Sequence, residues 1–253
     1  MAAAEFHTPG SRETTNRRTV LVTGGSGGIG RAVCLAFARA GWTVGVHYFT
    51  RPAEADATLR LMRPTSPHSS LYKADIRLSS EVRAMVKLFV KEHGALTAMV
   101  CNAGVATGQL MIRHQADEWL RVIETNLTGT FHCIQAAGSS MVQAGGGSII
   151  VVGSYAATHG DTGQAAYASA KAGLLGLVRT AGLEWGKSNV RVNLVYPGLQ
   201  PTSLAGAAFF ASTLKNHLLD RSPDLDEVAG TICHLAQLKD ISGQVWNLDS
   251  RLV

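Results

Sequence analysis

From Thr19 onward, short runs of β-branched and apolar residues alternate with longer stretches of helical character. The runs are Thr19 to Thr23, Thr43 to Tyr48, Ser70 to Asp75, Ala98 to Asn102, Ser148 to Gly153, Val190 to Tyr196 and Gln244 to Leu248. Several are apolar without a break, Ile149-Ile150-Val151-Val152 most plainly. Strands of a parallel sheet look this way because helices bury both of their faces. The stretches between the runs are long enough for crossover helices. The chain therefore reads as an α/β protein, a doubly wound, seven-stranded parallel sheet with helices on both faces.

Glycines punctuate this pattern where helices should end. Gly41 follows the first helical stretch, Gly94 the third, and Gly145-Gly146-Gly147 separates a long one from the strand at Ser148. The rhythm breaks between Leu199 and Pro223, where Pro201, Gly206, Phe209 and Phe210 suggest a helical lid over a pocket. No repeat or linker marks a second domain, so residues 19–253 read as one domain and residues 1–18 as a flexible leader. That leader lacks the apolar core of a secretory signal, which predicts a cytoplasmic protein; its arginines keep a transit role into the mitochondrial matrix open.

Composition removes other classes. With 253 residues, 46% hydrophobic and 16% charged, the chain can fill a large core and is not disordered in bulk. No run reaches the roughly 18 apolar residues that a membrane span needs. The net charge of +5 is spread along the chain apart from Arg12, Arg17 and Arg18, and aromatics are scattered at 6%, which argues against a nucleic-acid surface. A mild positive bias does suit a small anionic ligand. Cys34, Cys101, Cys133 and Cys233 stand far apart in apolar stretches and read as small buried hydrophobes in a reducing compartment. Neither they nor the histidines show metal-ligand spacing, so no metal is expected.

The first strand runs into Thr23-Gly24-Gly25-Ser26-Gly27-Gly28-Ile29-Gly30 and then into an Ala-rich helix. A tight turn whose backbone meets a pyrophosphate at a helix N-terminus needs glycine, since a Cβ would hold the phosphates away. Gly25, Gly27 and Gly30 also satisfy the G-x-G-x-x-G spacing, so the register stays open at this point. In NAD-binding folds an acid near the end of the second strand holds the ribose 2′-hydroxyl. Here the chain reads His47-Tyr48-Phe49-Thr50-Arg51 with no carboxylate before Glu54, and Arg31 and Arg51 are in reach, which favours NADPH. Arg51 equally reads as an ordinary loop charge.

Tyr167 and Lys171 stand four residues apart at the start of a helix and so share one face. A nearby ammonium stabilises a phenolate and brings a tyrosine, ordinarily at a pKa of about 10, toward the range useful for proton transfer. Ser154 ends a buried strand at its carboxyl edge, where open α/β sheets bind ligands, and its hydroxyl can polarise a carbonyl.

With these residues in place the sequence resembles the short-chain dehydrogenase/reductase family from roughly Thr19 to Asp249. The family's T-G-x-x-x-G-x-G is met by Thr23, Gly24, Gly28 and Gly30, and its N-A-G by Asn102, Ala103 and Gly104. Its helix asparagine is matched by Asn126, and its Ser, Tyr and Lys by Ser154, Tyr167 and Lys171. Pro197-Gly198 with Thr202 matches the turn beside the nicotinamide, and Asp75, followed by Ile76, the acid near the adenine. The resemblance implies a single-domain Rossmann fold in which Ser26, Ile29, Arg31, Tyr48 and Arg51 complete the cofactor site. It further implies that NADPH gives hydride to a carbonyl carbon while Tyr167 protonates the oxygen that Ser154 orients. Lys171 would bind the nicotinamide ribose and lower the phenol's pKa, and Asn126 would hold a water linking Lys171 to solvent.

Within the family the chain is most similar to beta-ketoacyl thioester reductases of fatty-acid synthesis and to acetoacetyl-CoA reductases. Gly163-Gln164-Ala165-Ala166-Tyr167 resembles their G-Q-x-x-Y, whose Gln lines the substrate pocket, and Ile241-Ser242-Gly243-Gln244 their I-T-G-Q. This implies a small-molecule or thioester carbonyl substrate, carried by acyl carrier protein or CoA, and a homo-oligomer, tetramer or dimer. Three departures stand out. Cys101 replaces an asparagine before N-A-G, and Asp249-Ser250-Arg251 replaces D-G-G, which puts the packing of the tail in question. The helix Gln135 to Gln143 offers no Lys or Arg to an acidic carrier protein, leaving Arg179 as the nearest basic candidate. The competing readings are an NAD-dependent alcohol dehydrogenase and a catalytically silent dinucleotide-binding subunit. The presence of Asn126, Ser154, Tyr167 and Lys171 together weighs against the silent one.

Overall fold

In the computed structural model, which describes residues 18–200 and 217–251, the apolar runs become the strands of one sheet. These are β1 (Thr19–Val22), β2 (Thr43–Tyr48), β3 (Ser70–Lys73), β4 (Ala98–Cys101), β5 (Gly147–Val152), β6 (Val190–Tyr196) and β7 (Val245–Asn247). All seven pair in parallel, in the order β3-β2-β1-β4-β5-β6-β7. The strand order switches direction between β1 and β4. Loops leaving the carboxyl ends of these two strands diverge, which opens the crevice where doubly wound sheets bind ligands.

The helices are α1 (Gly28–Arg39), α2 (Pro52–Met62), α3 (Ser79–His93), α4 (Ala116–Ile123), α5 (Gly129–Ala144), α6 (Ala156–His159), α7 (Ala165–Trp185) and α8 (Leu225–Leu235). Alternation along each strand decides which helices its side chains meet. Val20, Val22, Val46, Ile150 and Val152 pack with Phe37 of α1, Leu59 of α2 and Ile232 of α8. Leu21, Met99, Ile149 and Val151 point the other way, to Phe89 of α3, Met141 of α5 and Leu174 of α7. The sheet is thus covered on both sides, as the unbroken apolar runs require. The four cysteines are buried and free, Cys34 and Cys233 in one layer and Cys101 and Cys133 in the other.

Arg18, expected in the leader, belongs to the folded body. It donates to Gln237 Oε1 and to the Ala40 carbonyl, both at 2.8 Å, and lies over the Trp42 ring at 5.3 Å. The rest of the leader, Thr202 and most of the expected lid lie outside the described residues. Among the described residues no helix is long and apolar enough to cross a membrane.

Candidate active site

Where β1 ends, Thr23 clasps the end of β4. Its Oγ1 accepts from the N–H groups of Asn102 at 2.9 Å and Ala103 at 3.0 Å, and Asn102 Nδ2 donates back to the Thr23 carbonyl at 3.0 Å. Beyond the clasp the chain turns into α1. A Cβ on Gly30 would lie 2.1 Å from the Gly24 carbonyl oxygen, so the first turn of α1 rests directly on the glycine turn. Gly24 and Gly28 take left-handed φ values of 68° and 54°, which fixes the register as T-G-x-x-x-G-x-G. Among the described residues no side chain caps α1, so its first N–H groups stay available for phosphate oxygens.

His47 secures this turn, a role that sequence reading missed. Its Nδ1 accepts from the Gly24 N–H at 3.1 Å and its Nε2 donates to the Ala74 carbonyl at 2.9 Å. Only the neutral imidazole can do both, and burial lowers the ring's pKa accordingly. No motif announces it, because its partners come from the glycine turn and from the end of β3.

Alongside the turn lies a cavity of ≈ 480 Å³. Of the expected cofactor residues, Gly24, Ser26, Gly28, Ile29, Tyr48, Arg51, Asp75, Ile76, Asn102, Ala103 and Gly104 line it. Phe49, Arg77, Val105, Arg121 and Thr125 line it too and were not anticipated. Arg31 does not. Its Nε donates to Thr58 Oγ1 at 3.0 Å and its Nη2 to the Ser26 and Glu54 carbonyls at 2.8 and 3.2 Å, so it braces the turn against α2. Asp75 is gripped by the Arg77 fork, with Nε 3.0 Å from both carboxylate oxygens, and the guanidinium holds its carboxyl below the usual range.

A second cavity of ≈ 360 Å³ shares Ile29, Asn102 and Gly104 with the first, so the two form one crevice. Ser154, Gln164, Tyr167, Lys171, Pro197 and Gly198 come together on its walls. Strand β5 delivers Ser154 and α7 delivers Tyr167 and Lys171 on one face. Burial pushes the Tyr167 phenol up, and a hydrogen bond with Ser154 pulls it partly back. The expected lowering by Lys171 is not seen in the free protein. The Lys171 ammonium donates to the Val152 carbonyl at 2.7 Å and sits 5.7 Å from the centre of the Tyr167 ring. Burial brings that ammonium down to about 8. Gln164 aims a buried Oε1 that has no partner among the described residues, an acceptor suited to a ligand donor.

Asn126 sits in a π-helical turn, Glu124–Thr128, between α4 and α5. Its side chain clamps the loop after β4, accepting from the Val105 N–H at 2.8 Å and donating to the Val105 carbonyl at 2.7 Å. A Cβ on Gly104 would stand 3.1 Å from Asn126 Oδ1 and 3.9 Å from Lys171 Nζ, so the asparagine and the lysine adjoin the same stretch of wall.

The family model described as short chain dehydrogenase matches residues 18–210. The chain belongs to the short-chain dehydrogenase family. Among relatives, the 3-oxoacyl-[acyl-carrier-protein] reductase FabG of Staphylococcus aureus is 35% identical over 235 residues, covering 90% of this chain and 94% of that protein. The 3-oxoacyl-[acyl-carrier-protein] reductase of a Synechocystis species is 34% identical over 239 residues, 93% and 97% of the two chains. Among solved structures, a putative short-chain alcohol dehydrogenase from Sinorhizobium meliloti superposes with a TM-score of 0.85 at 28% identity, covering 92% of this chain and 95% of that one. Levodione reductase shares the fold, with a TM-score of 0.87 at 23% identity over 92% and 96% of the two chains. This short-chain dehydrogenase is thus an oxidoreductase acting on carbonyl or hydroxyl groups, on the Rossmann sheet its sequence pattern predicts.

Proposed function

We propose that this enzyme reduces a beta-ketoacyl thioester of acyl carrier protein or CoA, with NADPH as cofactor. One observation carries the reading: Ser154, Tyr167 and Lys171 converge on a crevice whose other part is the uncapped start of α1. That cradle fits a dinucleotide, since glycines leave room for phosphates and backbone N–H groups face them. When bound, the cofactor supplies hydride chemistry. Ser154 orients and polarises the ketone oxygen, and Tyr167 gives that oxygen its proton. Lys171, fixed by Val152, places a cation beside the phenol and would hold the cofactor's ribose. Asn126 stands beside Lys171 and, through Val105, holds the loop that walls the crevice.

Two features favour NADPH over NADH. Arg51 lines the cavity at the end of β2 with no acid from Tyr48 to Arg51, and the acid that is present, Asp75, is already neutralised by Arg77. A 2′-phosphate therefore meets no uncompensated negative charge there. The relatives named as 3-oxoacyl-[acyl-carrier-protein] reductases support the thioester, and exposed Phe131 and Val142 on α5 with Leu183 on α7 support a homo-oligomer.

NADPH oxidation with acetoacetyl-CoA as substrate tests the reading. Tyr167→Phe is expected to bind NADPH normally and to lower kcat by roughly 10²- to 10⁴-fold. Near-normal turnover by that variant would remove Tyr167 as the proton donor, and faster turnover with NADH would overturn the cofactor assignment.

A further inference from the structure

The departure at the tail places a cation in the substrate cavity. Arg251 lines the same cavity as Ser154 and Tyr167 and is only 8% exposed. Its guanidinium carbon lies 4.2 Å from the centre of the ring of Tyr155, the residue after Ser154. Nε and Nη2 donate to Asp249 Oδ2 at 2.8 and 2.6 Å. The backbone is fixed as well: Arg251 N–H donates to Asp249 Oδ1 at 2.8 Å, and Asn247 Nδ2 donates to the Arg251 carbonyl at 2.7 Å. Asp249 in turn rests on the turn after β6, where a Cβ on Gly198 would stand 2.7 Å from its Cβ.

A guanidinium has two hydrogen-bonding edges. Asp249 takes one, and Nη1 on the other has no acceptor among the described residues. We propose that Arg251 is a specificity-determining residue, donating from Nη1 to a second acyl oxygen of the substrate and so selecting 1,3-dicarbonyl compounds over isolated ketones. The inference rests on the reductase reading and deepens it. Ser154 and Tyr167 serve the ketone that reacts, and the other carbonyl of such a substrate still needs a donor. Arg251 is a fixed, charge-assisted donor of that kind. Because Asp249 already balances its charge, a neutral carbonyl oxygen suffices as partner. A carboxylate oxygen offers the same acceptor geometry.

The test compares ethyl acetoacetate, acetoacetate and 2-pentanone with wild type, Arg251→Met and Arg251→Lys, with NADPH present. Arg251→Met should lose roughly tenfold or more in kcat/KM for the dicarbonyl compounds, a loss of about one good hydrogen bond, and stay within about twofold for 2-pentanone. Equal losses on the ester and the acid identify a carbonyl acceptor; a greater loss on acetoacetate identifies a carboxylate. Equal losses on all three substrates overturn the proposal, since a merely structural tail would act on every ketone alike. Arg251→Lys keeps a cation beside Asp249 should the Met variant fail to fold. It should lose the discrimination too, and full retention would refute the role of the fork. Direct titration of ethyl acetoacetate separates the two readings. If no ketone is reduced yet Arg251→Met binds the ester about tenfold more weakly, the reductase reading fails and the Arg251 site stands. Unchanged binding overturns the Arg251 site.

Discussion

Lys171 should make the enzyme less stable at neutral pH than at high pH, and the size of the effect follows from its burial. The side chain is 4% exposed, and desolvation brings its ammonium from the ordinary 10.5 down to about 8. At about 1.36 kcal/mol per pH unit, holding the charge in the native protein at neutral pH opposes folding by about 3 kcal/mol. Below about pH 8 the native and unfolded chains both carry the proton, and the penalty is complete. Between there and the unfolded value the native lysine has released its proton while the unfolded one keeps it, so stability rises with pH. Lys171→Met removes the charge. Wild type is therefore expected to gain about 2 kcal/mol on the variant between pH 7 and 9.5, measured by urea unfolding at matched protein concentration. At pH 7 the variant should be at least as stable as wild type, because the relief is offset by about 1–3 kcal/mol for the Val152 carbonyl left without its donor. It should also be inactive. Tyrosines titrating in the same range cancel in the difference between the two proteins. Stability curves that stay parallel within about 0.5 kcal/mol would show that the buried ammonium is not destabilising and that the argument is wrong.

Gly30→Ala drives a Cβ into the Gly24 carbonyl, a backbone atom that cannot rotate away, and should lower stability by about 1–3 kcal/mol and weaken dinucleotide binding. Thermal melting and cofactor titration check this; a folded variant with wild-type affinity would contradict it. Because burial lowers the His47 pKa, its stabilising contribution is complete above the ordinary imidazole value and is lost as pH falls below it. His47→Gln can keep both hydrogen bonds without titrating, so its stability should decline less steeply between about pH 6.5 and 5; identical slopes would clear His47 of that role. Arg51→Ala should reduce the preference for NADPH over NADH, whereas Arg31→Ala should weaken both cofactors alike because Arg31 braces the turn. The opposite pattern in steady-state kinetics would reassign the phosphate contact to Arg31.

What could be read from the sequence were features with a period or a fixed spacing. Ile149 to Val152 announces a strand covered on both faces, and Tyr167 and Lys171 announce a shared helix face; the structure has both. What could not be read were features that depend on where a long side chain ends. Arg31 and Arg51 look equivalent along the chain, yet three protein oxygens hold the first and the cavity receives the second. The partners of Arg77 and Arg251 are acids two residues earlier in the chain, but nothing in that spacing says that the pairs face a crevice. The phenol of Tyr167 shows the same limit in energy. Spacing to Lys171 suggests a lowered pKa, but in the free protein burial raises it and the partial lowering comes from Ser154.

The clasp between Thr23 and Asn102 bears on kinetics. Because the ends of β1 and β4 are hydrogen-bonded before any ligand arrives, the glycine turn and the wall facing it are held in place and little ordering remains to be done on binding. Association should then run at a rate set by encounter and by the charge of the cleft. Variants along the crevice should differ in how long the dinucleotide stays, with arrival rates nearly constant across the series.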